Sequence, residues 1–284
     1  MQELTHGIYI ENAYPGVTLG ALILSHGTIL IDAPLRAEDA RAWKAALLGL
    51  GGNFNRLLVN LDSHADRTLG ARAMECTIIA HQKTAQIFRG RPSVFKGQNA
   101  ESGSEWETQN ETVGTRWAVP DITFTQKVSL YWGPPDVILE HHPGPTPGSI
   151  WVIVPEAKII FVGDAVLPDQ PPFLASADIP AWVETLDALA KQYRDFTILS
   201  GRSGLVSFEV IKAQQHHLKN ILKGLEKLAK RNAPADETQN LIPSLLADLT
   251  FSPKLEEQFT QRYHHGLYQY YAHHYRPSDL VEMD

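Results

Sequence analysis

Short apolar runs bounded by turn residues alternate with amphipathic segments up to about residue 206, an order that belongs to an α/β architecture. Gly7 to Ile10, Val17 to Ser25 and Thr28 to Asp32 are rich in β-branched and aliphatic residues, and His26-Gly27 supplies the tight turn of an antiparallel pair. Ala37 to Leu50 reads as a helix, because Trp43, Leu47 and Leu50 share one apolar face and Gly51-Gly52 ends it. Arg56 to Asn60 and Thr77 to Ala80 are strands, each followed by a helical segment, Thr68 to Met74 and Gln82 to Arg89. Strands resume at Ile122 to Thr125, Val128 to Trp132, Val137 to His141, Ile150 to Val154 and Lys158 to Val162. Ala181 to Tyr193 is a helix and Thr197 to Leu199 a last short strand.

The chain divides on this reading into an α/β unit, 1–206, and a helical segment, 207–284. In the second part Phe208, Ile211, Gln215, Leu218, Leu222 and Leu225 make one narrow apolar seam, suited to packing on its own domain rather than to a coiled coil. Glu237 to Leu249 and Leu255 to Tyr275 are further helices. Phe259, Tyr263, Leu267, Tyr270 and His274 share a face of the last one, which packs on the rest of the chain or forms a homodimer surface. Within the first part, Gly90 to Val119 is polar and without sustained period. It reads as a solvent-exposed insertion rather than a lid, although Trp106 and Trp117 are out of keeping with plain linker.

Charge and cysteine content narrow the chemistry. Lys and Arg number 25 against 32 Asp and Glu, a net charge of −7 that speaks against nucleic acid or an anionic membrane surface as the partner. No apolar run reaches the ~20 residues that span a bilayer, and Met1 to Gly7 carries no signal-like pattern, so a soluble cytoplasmic protein with a small-molecule partner is expected. Cys76 stands alone, which excludes an internal disulfide and a cysteine-based zinc or iron–sulfur site. Metal chemistry would rest on carboxylates and on the 12 histidines.

Four polar loops follow strand ends: Asn60-Leu61-Asp62-Ser63-His64-Ala65-Asp66-Arg67, Pro143-Gly144-Pro145-Thr146-Pro147-Gly148-Ser149, Phe161-Val162-Gly163-Asp164 and Leu199-Ser200-Gly201-Arg202. In this order they resemble the metal-site loops of the metallo-β-lactamase superfamily: an HxHxDH motif, a PGHTPGS-like turn, a strand ending in Gly-Asp and a late Gly-His. The resemblance runs from roughly Gly7 to Gly204. It implies a four-layer αβ/βα sandwich with the site at one edge between the sheets, to which this chain adds a C-terminal helical extension. It also implies hydrolytic chemistry, with imidazole and carboxylate holding metal and a metal-bound water as nucleophile.

Carried over position by position, the resemblance implies a degenerate metal site. The first motif His is Asp62, the second is kept as His64, the Asp is kept as Asp66 and the third His is Arg67. Pro145 stands where the turn supplies a ligand His, Asp164 matches the bridging carboxylate and Arg202 replaces the late His. The second metal position, left with Asp66 and Asp164, is read as dead, because guanidinium does not ligate metals. Asp62, His64 and Asp164 remain as a facial set for one divalent zinc, iron or manganese ion, with Asp66 orienting water.

Two other readings stand beside that one. Arg67 and Arg202 are expected to pair with Asp66 and Asp164 and to replace the second metal's charge, since uncompensated carboxylates in a partly buried pocket are costly. Alternatively the two arginines bind a small anion. His26 and His81 read as structural or surface residues, His142 is a remote substitute for the ligand lost at Pro145, and the adjacent histidine pairs of the tail diverge around their helices. Ser200-Gly201-Arg202-Ser203-Gly204 lacks the spacing of a nucleophile elbow.

Overall fold

The computed structural model describes residues 1–96, 102–108 and 112–276. Its first sheet begins as an antiparallel meander of β1 (Gln2–Thr5), β2 (Ile8–Glu11), β3 (Leu19–Leu24) and β4 (Gly27–Ile31). β5 (Arg56–Val59), β6 (Thr77–His81) and β7 (Ile122–Phe124) then add in parallel, so the seven strands lie in chain order. The crossovers between them carry α1 (Ala37–Gly49), the short α2 (Ala65–Thr68) with a 3₁₀ turn Leu69–Met74, and α3 (Gln82–Gly90). The second sheet pairs β8 (Lys127–Leu130), β9 (Val137–His141), β10 (Ile150–Val154) and β11 (Ile159–Gly163) antiparallel. After α4 (Ile179–Gln192), β12 (Thr197–Ser200) lies parallel to β11, and β13 (Gly204–Val206) closes the edge.

The central strands are near-continuous apolar runs, buried on both faces, which forces a layer onto each side. Leu22, Ile29, Ile31 and Val59 of the first sheet meet Leu139, Ile150, Val152 and Phe161 of the second in one core. Their neighbours Ala21, Leu30 and Leu58 point outward onto Trp43 and Leu47 of α1. On the far side, Trp151, Ile153, Ile160 and Val162 pack under Trp182 and Leu186 of α4, together with the long helix α5 (Phe208–Lys230) and the last helix α7 (Glu256–Tyr275). Each fully buried aliphatic side chain in these layers contributes roughly 1.5–3 kcal/mol. The result is the αβ/βα sandwich with appended C-terminal helices.

Several expectations change. β1 and β13 are short edge strands without an alternating apolar pattern, and only pairing defines them. The buried face of α5 is broader than the expected seam: Gln214, His217 and Ile221 are inside, while Gln215 and Leu222 sit half-buried at its margin. The helix expected over Glu237 to Leu249 is a 3₁₀ stretch, Ala235–Leu241, followed by α6 (Ile242–Ala247), which starts anew where Pro243 removes a backbone donor. The tail face proposed for a homodimer is consumed within the chain. Phe259, Tyr263, Leu267 and Tyr270 are buried at 4% exposure or less, Tyr263, Leu267 and Tyr270 in the core under the second sheet, which leaves only His274 of that set exposed.

The insertion is also corrected. Phe95 and Trp106 are buried and meet edge to face at 5.2 Å, Trp117 packs on Phe95, and the trio covers Leu35, Ala65 and Leu69. Aromatic burial against α2 overrides the polar composition there, so the insertion is anchored by these rings while Lys96, Val113, Arg116 and Val119 stay exposed. Residues 97–101 and 109–111 of the insertion, and 277–284 of the helical segment, lie outside the described residues. Among the described residues no helix is long and apolar enough to cross a membrane.

Candidate functional site

Four strand ends converge at one edge of the sandwich. β4 runs into Asp32, β5 into the loop from Asn60 to His64, β11 into Asp164 and β12 into Gly201-Arg202. Oδ1 of Asp62 accepts from the His64 backbone N–H at 2.8 Å, which turns the chain into α2 and places Asp66 and Arg67 on that short helix. Asp32 takes a left-handed backbone (φ 58°), and its Oδ1 accepts the Leu61 N–H at 2.9 Å, tying the first strand end to the second. A 2.7 Å backbone bond from Gly201 to Gly163 ties the third to the fourth.

Two guanidiniums fill the space between these ends. Nη2 of Arg67 donates to Asp164 Oδ1, and its Nη1 lies 3.4 Å from Asp62 and 3.5 Å from Asp32. Nε of Arg202 is 3.1 Å from each oxygen of Asp164, and its Nη1 donates to Asp66 Oδ2 and to the Gly16 carbonyl. Nδ1 of His64 sits 3.0 Å from Asp62 and 3.1 Å from Asp164. Arg67 is 0% exposed and Arg202 3%, so neither presents an open face to a free anion.

The electrostatics follow from that packing. Burial alone would raise the pKa of Asp164, but Arg202 and Arg67 outweigh it and hold the group well below the usual carboxylate range. Asp62 is likewise lowered, against burial, by Arg67 and His64. Burial would depress His64, yet Asp62 and Asp164 lift it to about 9. Asp32 goes the other way: desolvation dominates over Arg67 and pushes it up to about 8. Near neutral pH protonated His64 thus joins Arg67 and Arg202 against the ionised Asp62 and Asp164, with Asp32 protonated behind them.

The sequence model of the metallo-beta-lactamase superfamily matches residues 21–201. The chain belongs to that superfamily. Among solved structures it is similar to the stereoselective inverting sec-alkylsulfatase Pisa1 from Pseudomonas sp., with a TM-score of 0.71 and 16% identity over 98% of this chain and 51% of that one. The chain therefore spans about half the length of the sulfatase, and that alignment takes in the C-terminal helices. A metallo-beta-lactamase from Pontibacter korlensis (TM-score 0.61, 16% identity) covers 77% of this chain with 98% of its own. One from Erythrobacter litoralis (0.57, 17%) covers 77% with 95%. At these identities the likeness is one of fold.

Members of the superfamily bind divalent metals, and the residues here fit them unequally. Ligand atoms of Asp62, His64 and Asp164 lie within 4.8 Å of one another, a convergent donor set for a single hard or borderline cation. The second position does not fit: Arg67 and Arg202 fill it, and both oxygens of Asp164 already accept hydrogen bonds. Asp66 keeps one buried oxygen, Oδ1, with no hydrogen-bond partner among the described residues. Pro145 is buried in its turn and offers no donor atom. His142 stacks on Trp151 at 3.5 Å and faces Glu140, while His141 stacks on His81, so neither joins the cluster.

Asp32 is the member that sequence reasoning missed, although the Ile31-Asp32 strand end is its signal. Also unforeseen is a cavity of about 440 Å³ opening beside His64. Its walls come from the insertion, from Phe173, whose ring centroid lies 5.1 Å from that of His64, and from Arg262 of α7. Arg262 donates to the Gly103 carbonyl at 2.8 and 3.1 Å and to Gln170 at 3.0 Å, joining the insertion to the loop after β11.

Proposed function

We propose that this superfamily member holds a small-molecule cleft over a centre in which an internal ion-pair network has replaced the two-metal machinery, leaving it weakly metal-binding or non-catalytic. The observation that carries this reading is the engagement of Asp164 by two guanidiniums at once. A metal entering there would have to displace buried ion pairs, and leaving one such partner uncompensated costs about 3–5 kcal/mol. Arg67 and Arg202 act as charge replacements on this view. They do not act as a free-anion site, because carboxylates already occupy both. The lone Cys76 and the modest net charge of −7 suit a reducing, cytoplasmic setting.

The convergence of Asp62, His64 and Asp164 favours a second reading, a mononuclear metal-dependent hydrolase of an ester, lactone or phosphoester in which Asp66 orients water. Elemental analysis of protein purified without added metal, repeated on His64→Ala, separates the two. Metal-free protein whose melting temperature is indifferent to zinc, iron and manganese is the expected result. Stoichiometric metal that disappears in the variant would overturn the first reading in favour of the second.

A further inference from the structure

The cavity beside His64 is unusual for a chain of net charge −7. Its ionisable lining among the described residues is basic throughout: Arg91, Lys96, Arg262, His64 and His265, with no Asp or Glu. Aromatic rings of Trp106, Trp117 and Phe173 supply broad apolar wall between them. At about 440 Å³ it falls within the ~300–1,000 Å³ usual for small-molecule sites.

Arg91 is the residue without a structural explanation. Its guanidinium stacks over Trp117 at 4.5 Å and over Phe88 at 5.0 Å, and Nη2 donates to the Ser63 carbonyl at 3.1 Å. Among the described residues Nη1 is buried with no hydrogen-bond partner and no carboxylate lies within ion-pair distance of the side chain; Asp62 acts on it only at longer range and is itself engaged by Arg67 and His64. A partly desolvated cation with no directly bonded counter-ion is costly, and an anion supplied from outside would satisfy it. Arg262 differs, because carbonyls and Gln170 hold its fork and fix it as wall.

We infer that this cavity binds a small organic anion, its apolar, ring-sized body lying against Trp106, Trp117 and Phe173 and its charged head against Arg91. The inference rests on the reading of the cleft as a small-molecule site. It does not require a metal, since Arg91 belongs to the insertion and makes no ion pair within the network, although its bond to the Ser63 carbonyl sets it beside that network. Lys96, exposed at the cavity mouth, adds to the attraction for incoming anions.

The test is titration calorimetry with 1-naphthylacetate and its uncharged isostere 1-naphthylacetamide, on protein dialysed against a chelator and again after equilibration with zinc. In chelator-treated protein the carboxylate is expected to bind about tenfold or more tighter than the amide, the scale of a charge-assisted hydrogen bond. Arg91→Gln should bring the two ligands to within about threefold of each other. Because that change also removes ring stacking, Lys96→Glu serves as a second variant that disturbs no packing and should weaken the carboxylate while sparing the amide. Equal affinity for acid and amide, no binding of either, or an unchanged preference in both variants overturns the inference. So does a preference that exists only with zinc, which would put the anion on the metal and overturn the metal-free reading as well. Loss of the preference in protein that remains metal-free sinks the anion site alone.

Discussion

Nη1 of Arg67 occupies the place that a β-carbon on residue 201 would take, and Gly201 is what leaves it open. An ideal Cβ there would also lie 2.8 Å from Nη2 and 3.0 Å from Cζ. The tip of an arginine ordinarily yields to such pressure, but this one is fully buried and held by Asp164. Gly201→Ala is therefore expected to destabilise the fold by about 1–3 kcal/mol, measured by urea denaturation. The same change in an Arg67→Ala background should cost clearly less. Equal losses in both backgrounds would show that Gly201 answers only to its backbone.

If Arg67 and Arg202 stand in for a metal's charge, replacing them with the superfamily's imidazoles should reverse the exchange. The Arg67→His/Arg202→His double variant is expected to be less stable than the parent without metal, since Asp66 and Asp164 lose their cations. Zinc should raise its melting temperature by several degrees and leave the parent unmoved. A variant that ignores zinc would count against the correspondence between guanidinium and metal.

Alkaline pH should loosen the network. His64 keeps its proton in the folded chain up to about 9, against an ordinary value of 6.5, so the stability it supplies is complete below 6.5 and lost as the pH rises through 9. Asp32 acts with the same sign: raised from 3.8 to about 8, it holds in the fold a proton that the unfolded chain has released. Unfolding free energy is expected to fall from pH 6.5 to 9. Asp32→Asn should flatten the part below about 8, and His64→Gln the part up to about 9. A flat profile in the parent would contradict the assignment.

The acid side belongs to a different group. Burial lowers His142 to about 4, Glu140 opposing, so between 6.5 and 4 the unfolded chain takes up a proton that the fold refuses, and this group's contribution to stability falls with pH while that of Asp32 rises. His142→Phe retains a ring on Trp151 and is expected to reduce the loss of melting temperature between pH 7 and 5. An identical loss in the variant would shift the effect to other buried histidines, such as His217.

Asp62, His64, Asp66 and Asp164 were legible because they sit in short contiguous motifs, the loop from β5 into α2 and the end of β11, whose residue order resembles the superfamily's metal loops. Asp32 was not, because what makes it a site residue is long-range: β4 pairs with β5, and a left-handed turn then aims the carboxyl at the same edge. Arg91 gave no signal, and Trp106 and Trp117 stood out from their polar surroundings without revealing what they pack against. Among many polar neighbours a few aromatic residues leave no period, and only their burial against α2 reveals a wall. The α7 face had the pattern of a surface seam, but a helix packed under a sheet and a helix at a dimer interface share that pattern.

The bond from Arg262 to the Gly103 carbonyl joins residues 159 positions apart. During synthesis, the insertion emerges long before the arginine that seats it. In chain order the sandwich strands and every member of the ion-pair network precede the helical segment, whereas the cavity takes its last wall from α7. The cleft is therefore written into the chain later than the centre beneath it, and a chain cut before residue 262 would lack the arginine that seats the insertion.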